Sequence, residues 1–484
     1  MTLHTNSGST AIRSSGSRLR LALVLSSALC LVAGAANAAG STGLTGGGAP
    51  LDNGQPSLVL NQLVALGGVY PCMDCGAGAG AGHDMGEVRT FAGLFPAFGA
   101  PPAKGQLLQI KGNEALFSIL KTTYGGDGTT NFALPDLSGR AVVGAGGGGG
   151  LTTYTLGQQM GLSQNNLTIA NLPAHDHALP GGGTTGMTGS GLAFDNRQPS
   201  LALNYDIAVT GPYPTSGIDP WLGQINQYAG DFAPGGWMRA EGQLLSISDY
   251  STLFAVLGTT YGGDGVTTFA LPNLQGRTAV GAGGGVALGA TFGTESITLT
   301  DATLPSHDHT LPGGGVTDPT GAGGAFDNAQ PSLAINYLID IQGIFPFLDG
   351  NGSLPADGDP FIGEIVGYAG SLVPQGWMLA QGQILSISQY AALFSILGTT
   401  YGGDGVSTFA LPDLRGRTIL GSDALHLVGQ TAGERDTFLT VDQLPAHDHG
   451  LPDVGGVPEP AQWLLMLAGF GLVGATLRRR GAYA

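Results

Sequence analysis

The sequence predicts an α+β, strand-dominated protein: three tandem modules packed about an intramolecular pseudo-threefold axis. Three observations predict it. First, motifs recur in register: Tyr-Gly-Gly-Asp-Gly at Tyr124, Tyr261 and Tyr401, Phe-Ala-Leu-Pro at Phe132, Phe269 and Phe409, and His-Asp-His at His175, His307 and His447. The later copies stand 132 to 140 residues apart, a domain length and not a solenoid period. Second, most apolar stretches within a copy are short or alternate, as strands do, and only one has helical spacing. Third, the 86 glycines and 28 prolines among 484 residues follow no triplet period, which excludes collagen, while a hydrophobic content of 42% is too high for a wholly disordered chain.

From the N-terminus, Arg13, Arg18 and Arg20 precede an apolar run at 21–32 and the small-residue site Ala36-Asn37-Ala38. Residues 1–38 therefore read as a secretory signal peptide. Residues 39–85 form a Gly-rich segment in which 40–48 and 76–82 read as flexible. It carries a strand motif, Gln55-Pro56-Ser57-Leu58, that recurs at Gln198 and Gln330. Cys72 and Cys75 form a Cys-x-x-Cys pair, which in an exported chain reads as a local disulfide. Only His83 lies nearby, too few ligands for structural zinc, and the following Gly/Ala run offers no helix to activate a thiolate.

Three modules follow, at 86–213, 214–346 and 347–452. The second is the most regular. A strand begins at Gln224, and Pro234-Gly235-Gly236 turns the chain to deliver Trp237. A second strand ends near Ile247. Ser248 then reads as the N-cap of a helix over 249–257 that Gly258 terminates. The Asp264 turn, the Phe269-Ala270-Leu271-Pro272 segment and a strand at 277–281 lead to His307-Asp308-His309, and a strand at 332–339 closes the unit. The third module keeps Trp377, Ser388 and Gly398; the first has Ala100 and Lys121 in place of the Trp and the terminating Gly. The third also lacks the closing strand, while residues 51–70 hold a spare copy. That copy either completes the third module, closing a ring, or is the remnant of a lost fourth module.

The C-terminus reads Pro458-Glu459-Pro460, an apolar stretch at 461–477, then Arg478-Arg479-Arg480. The apolar length is the short limit for a spanning helix. This order resembles the PEP-CTERM sorting signal of Gram-negative bacteria at 457–480. The resemblance implies transient membrane anchoring through this helix, processing by an exosortase-type enzyme near the Pro-Glu-Pro, and a place at the cell surface or outside the cell. A plain single-pass anchor is the alternative, and it too puts the body outside the cytoplasm.

The module motifs, Gln381-Gly-x-x-Leu-Ser-Ile-Ser, Leu393-Phe-x-x-Leu-Gly-Thr-Thr-Tyr-Gly-Gly-Asp-Gly, Thr408-Phe-Ala-Leu-Pro-Asp-Leu and Leu444-Pro-Ala-His-Asp-His, resemble those of the phage tail collar domain and the microcystin-dependent protein family. The resemblance spans nearly the whole mature chain, which is therefore read as collar-like modules. Collar fibres are homotrimers, and some bind metal through His-x-His from three chains. In one chain the same arrangement implies a shared site.

Six of nine histidines lie in the three segments: His175, His177, His307, His309, His447 and His449. In extended backbone, residues i and i+2 share a face, so each pair points together. Three pairs about an axis supply six nitrogens, which suit Fe, Co or Ni better than Zn, normally tetrahedral in structural sites. The segments also fit solvated loops, or copies kept only by duplication. Recurring Asp127, Asp264 and Asp404 read as turn residues, since one carboxylate is too few for calcium. Trp237 and Trp377 suit either sugar stacking or core anchoring.

Between residues 39 and 457 there are 33 acidic and 11 basic residues, the 17 basic residues less six at the ends. Such a body repels phosphate backbones, which excludes nucleic acid as partner. The Gly-rich run at 144–149 lacks the helix and acid of a dinucleotide site, and no P-loop or hydrolase motif occurs. The expectation is an exported, non-enzymatic structural or binding protein in contact with glycans or exopolysaccharide; the alternative is a metal-dependent enzyme using the histidines.

Overall fold

Nine strands and three helices carry the architecture of this computed structural model, which describes residues 40–71, 83–94, 100–215, 220–346 and 360–452. The expected signal peptide, the Cys72–Cys75 pair, the stretch 76–82 and the sorting segment with Pro458, Glu459, Pro460, Arg478, Arg479 and Arg480 lie outside these residues. The strands are β1 (Ser57–Val64), β2 (Glu87–Phe91), β3 (Ala141–Gly144), β4 (Ser200–Ala208), β5 (Gln224–Tyr228), β6 (Thr278–Gly281), β7 (Ser332–Asp340), β8 (Glu364–Tyr368) and β9 (Thr418–Gly421). The helices are α1 (Glu114–Leu120), α2 (Ser251–Leu257) and α3 (Ala391–Leu397). The remaining strands are two- and three-residue pieces, so the chain is α+β and dominated by strands.

Each long strand serves two modules. The first half of β4 runs parallel to β3, Ser200 opposite Ala141, and its second half runs antiparallel to β5, Asn204 opposite Tyr228. β7 does the same between β6 and β8. β1 does it between β9, with Ser57 opposite Thr418, and β2, with Asn61 opposite Phe91. The N-terminal strand is thus seated on the third module and leads into the first. With covered faces on both sides, all eight residues of β1 are buried, which explains their near-continuous apolar run.

The lead strands close on one another at the centre. β2 pairs with β5, β5 with β8 and β8 with β2. Equivalent positions differ here: Arg89, Asn226 and Val366 share one register, and Glu87, Gln224 and Glu364 another. Arg89 Nε donates to Glu364 Oε1 at 2.7 Å, a second guanidinium nitrogen grips Oε2, and Asn226 Nδ2 donates to Glu87 Oε1 at 2.7 Å. Burial alone pushes the Glu364 carboxyl up, but the charges of Arg89 and His83 outweigh it and hold the group below its ordinary value.

The helices bury one stripe each, Leu253, Val256 and Leu257 in α2, at helical spacing. They begin later than the sequence suggested. Ser248 and Ser388 cap nothing; each hydroxyl meets that of the serine two residues back, at 2.7 and 2.9 Å, Ser248 also donates to Asp249 Oδ1 at 3.0 Å, and the N-cap position falls to Tyr250 and Tyr390. Gly258 and Gly398 end the helices at φ 57° and 54°, and Lys121 is forced into the same backbone at φ 53°. In the turn beyond, Asp264 Oδ1 accepts three backbone N–H groups at 2.7 to 2.9 Å, and its carboxyl lies well below the usual range, chiefly through the Thr267 hydroxyl. A Cβ on Gly263 (φ 94°) would sit 2.4 Å from Phe269 Cα.

One expectation fails outright. Residues 40–48 are not flexible: Thr42 N donates to His449 O at 2.9 Å, and Thr45 N to His447 O at 3.0 Å. Their glycines let the chain lie against the third module; a Cβ on Gly46 would sit 2.6 Å from Pro445 O. Among the described residues no helix is long and apolar enough to cross a membrane.

Two stability outcomes follow. Arg89→Met leaves Glu364 buried without its guanidinium and costs about 3–5 kcal/mol, most of it recovered in the Arg89→Met, Glu364→Leu double variant; denaturant midpoints of the three proteins check this. Lys121→Gly relieves a Gly-type backbone and raises stability by about 1–3 kcal/mol, read in the same titration.

Candidate metal centre

The three His-Asp-His segments converge. Each is extended, follows a Pro, and is answered by a returning antiparallel segment: Thr188 opposite His175, Thr320 opposite His307, and Thr45 opposite His447. The returning segments also bond to a neighbouring copy. Thr320 Oγ1 donates to Asp176 O at 2.8 Å, Thr45 Oγ1 to Asp308 O at 2.7 Å and Thr188 Oγ1 to Asp448 O at 2.8 Å. Three copies are thereby laced in a circle, and the lacing for the third comes from the N-terminus.

Two triangles of imidazoles result. His175, His307 and His447 lie with ring centroids 5.1 to 5.3 Å apart. His177, His309 and His449 lie 4.7 to 4.8 Å apart. The triangles are staggered, because each ring of one meets two rings of the other: His175 lies 5.6 Å from His177 and 4.8 Å from His449. Two staggered triangles make an octahedron. The arrangement is buried, with all six histidines 5% exposed or less. Leu172, Leu304 and Leu444, three residues before the first histidine of each copy, form a separate, fully buried cluster.

The tautomers are fixed by the backbone. Nδ1 of His175, His307 and His447 bonds to the carbonyls of Pro173, Pro305 and Pro445 at 2.9 to 3.0 Å. Nδ1 of His177, His309 and His449 bonds to the carbonyls of Asp318, Gly43 and Gly186 at 2.8 to 2.9 Å. A carbonyl can only accept, so every Nδ1 carries the proton and every Nε2 keeps a bare lone pair. Those of His175, His177, His309 and His449 have no hydrogen-bond partner. Those of His307 and His447 face each other at 3.2 Å, two acceptors with no proton between them. Such a set fits a cation. Cis ligands of an octahedron with metal–nitrogen bonds of about 2.1 Å stand about 3 Å apart, close to the 3.2 Å between the Nε2 atoms of His307 and His447. Nδ1–carbonyl bonds are also the usual support for a metal-bound imidazole. Two overlapping tetrads, His175/His307/His447/His449 and His177/His307/His309/His449, each keep their donor atoms within 4.8 Å. The buried cluster could hold a metal ion.

Three stretches of the chain, 86–142, 223–279 and 363–419, match the Phage Tail Collar Domain. The chain carries three tandem collar domains. Residues 456–480 match the PEP-CTERM protein-sorting motif, which marks the chain for export and for the cell surface or the space outside it. No curated protein and no solved structure matches it. The histidine segments lie beyond each matched stretch, so their convergence is a finding of the geometry.

Trp377 is a core anchor, 4% exposed and 4.9 Å from Trp221, a fully buried ring that sequence reasoning passed over. The lacing threonines were also missed. Their signal was present: Thr-x-x-Thr at Thr42, Thr185 and Thr317, each eleven residues before the Asn of Asn-x-Gln-Pro-Ser. The first threonine of each takes the N–H of His449, His177 or His309 at 3.0 to 3.1 Å.

Burial lowers the pKa of His177, His309 and His449, and brings His307 to about 3 and His447 to about 4. The folded state therefore binds fewer protons than the unfolded chain below the ordinary histidine value of 6.5. Stability of the metal-free protein is full above that value and is lost as pH falls towards 4. Urea midpoints measured from pH 7 to pH 4 should fall steadily; a flat profile contradicts the buried neutral cluster.

Proposed function

We propose that this is an exported structural and binding protein whose three collar domains are locked by one transition-metal ion. The observation that carries the reading is the gathering of six buried imidazoles, each held from behind by a carbonyl at Nδ1, whose free ring nitrogens fall into two overlapping sets of four within 4.8 Å. His175, His177, His307, His309, His447 and His449 would hold the ion. An all-imidazole, six-coordinate set favours Fe, Co or Ni over Zn. When bound, the ion supplies a crosslink among three segments far apart in sequence. Because metal binding is coupled to folding, it stabilises the closed ring.

The same count argues against the enzyme reading. A catalytic metal needs an open position for water or substrate, and six protein ligands fill an octahedron. Asp176, Asp308 and Asp448 alternate away from the histidines, as i+1 residues of an extended segment must.

At the surface, the body is assigned contact with glycans or exopolysaccharide, with an exosortase-type enzyme as its processing partner and the segment at 457–480 as its transient membrane anchor. An acidic body repels anionic nucleic acid and lipid headgroups alike, so its contacts are expected to be local sites and not a broad charged face.

Metal analysis of purified protein should give one equivalent per chain. His309→Ala should abolish the stoichiometric metal and lower the thermal midpoint. No metal after refolding with Fe, Co, Ni and Zn salts overturns the reading.

A further inference from the structure

The seams between modules share one design but are filled differently. At the seam of the first and second modules, the loop after β3 is long, running over 146–156. It inserts Tyr154, 3% exposed, whose hydroxyl donates to Glu295 Oε1 at 2.7 Å and accepts from Arg197 Nη1 at 2.8 Å. Thr152 adds a backbone and a hydroxyl donor to the same carboxylate. The chain supplies its own occupant there, and the acceptor is Glu295.

At the seam of the second and third modules the corresponding loop, 283–288, is shorter and contains no aromatic residue. The position of Glu295, second after the conserved-register Gly293, is Arg435 after Gly433. So the plug is missing and the charge is reversed. A cavity of about 230 Å³ opens at this place. Val286, Phe292, Arg415, Arg417 and Arg435 are among the residues that line it. Three of the body's 11 basic residues thus meet at one pocket of a chain with a net charge of -17.

The arginines are oriented but not used up. Arg415 grips Asp413 with two donors at 2.8 and 2.9 Å, Arg417 spends one on the Asp413 carbonyl, and Arg435 reaches Asp327 at 3.3 Å while standing 5.1 Å over the Phe292 ring. Each guanidinium has five N–H donors in a planar fork that matches a carboxylate. Three guanidiniums against two acids leave the pocket cationic. Its volume falls below the range of about 300–1,000 Å³ typical of drug-sized ligands, which limits the guest to one ring.

We propose that this cavity binds a carboxylated sugar of single-ring size, a uronic acid, with its carboxylate on Arg417 and Arg435 and its ring against Val286 and Phe292. The proposal deepens the glycan-contact reading above and rests on it, but not on the histidine centre.

The test is titration of the full-length protein with D-glucuronate, D-glucose and sodium sulfate, followed by calorimetry, on the wild type and on two variants. Arg435→Glu restores the charge of the first seam, and Val286→Tyr restores a plug. Arg435 is a surface residue, and circular dichroism checks that each variant folds. The expected result is saturable binding of glucuronate but not of glucose, weakened about tenfold or more in both variants, as loss of a charge-assisted hydrogen bond requires. Glucose binding as tightly as glucuronate overturns the proposal, as does an unchanged affinity in Arg435→Glu. Sulfate binding as tightly as glucuronate overturns the sugar and leaves a bare anion site. A polyuronate arm separates the two readings: a polymer bound equally by wild type and Arg435→Glu sinks the pocket but keeps a glycan-contacting surface, whereas no binding of any saccharide sinks both.

Discussion

No module of this protein can finish its own sheet. β4 begins on β3 of the first module and ends on β5 of the second; β7 and β1 repeat the arrangement, and β1 does so only because the chain returns its N-terminal strand to the third module. An edge strand left unpaired is a liability, so each seam obliges the next to form. The closed triangle of β2, β5 and β8 and the laced histidine segments are consequences of that sharing. Without β1, the third module would lose the parallel partner of β9, and the first would lose one of the partners of β2.

The histidine centre inherits its geometry from the same circle. His309 is held by Gly43 and His449 by Thr42, residues that come into place only when the N-terminal segment lies along the third module. With His447, whose backbone pairs with Thr45, three of the six candidate ligands therefore depend on residues just beyond the expected signal peptide. The metal and the ring stabilise one another: a cation satisfies lone pairs that burial otherwise leaves without partners, and the ring brings together donors separated by up to 274 positions, from His175 to His449.

Much of this was legible. The period-two pairing of His175 with His177 and its two repeats followed from strand geometry, and the surplus Gln55-Pro56-Ser57-Leu58 against a third module without it raised ring closure as one of two readings. The parts that were not legible have physical reasons. The glycines at 40–48 resemble a linker in composition, yet at Gly46 and Gly47 carbonyls of Asp442, Leu444 and Pro445 crowd the place a side chain would take, and at Gly43 the Thr310 side chain does so. Ser248 and Ser388 satisfy the cap rule by position, but their hydroxyls are already engaged upstream. The central ion pair was invisible because Arg89 and Glu364 are 275 residues apart and the arginine occurs in only one copy of the repeat, with Asn226 and Val366 in its place elsewhere.

That last difference shows what fusion into one chain permits. In a homotrimer, an arginine at the position of Arg89 would appear three times around one buried axis, and like charges so placed repel strongly in a medium of low dielectric. On a single chain the three copies are free to differ. Arg89 faces Glu364, Asn226 turns to Glu87, and Val366 takes the third place with an apolar side chain. The same freedom operates at the seams, where one copy plugs itself with Tyr154 against Glu295 and another sets Arg435 beside an open cavity. The histidines are the counterexample. A cation is served equally by three identical donors, so the positions that would hold it remain the same in every copy while the positions of Arg89 and Glu295 have diverged.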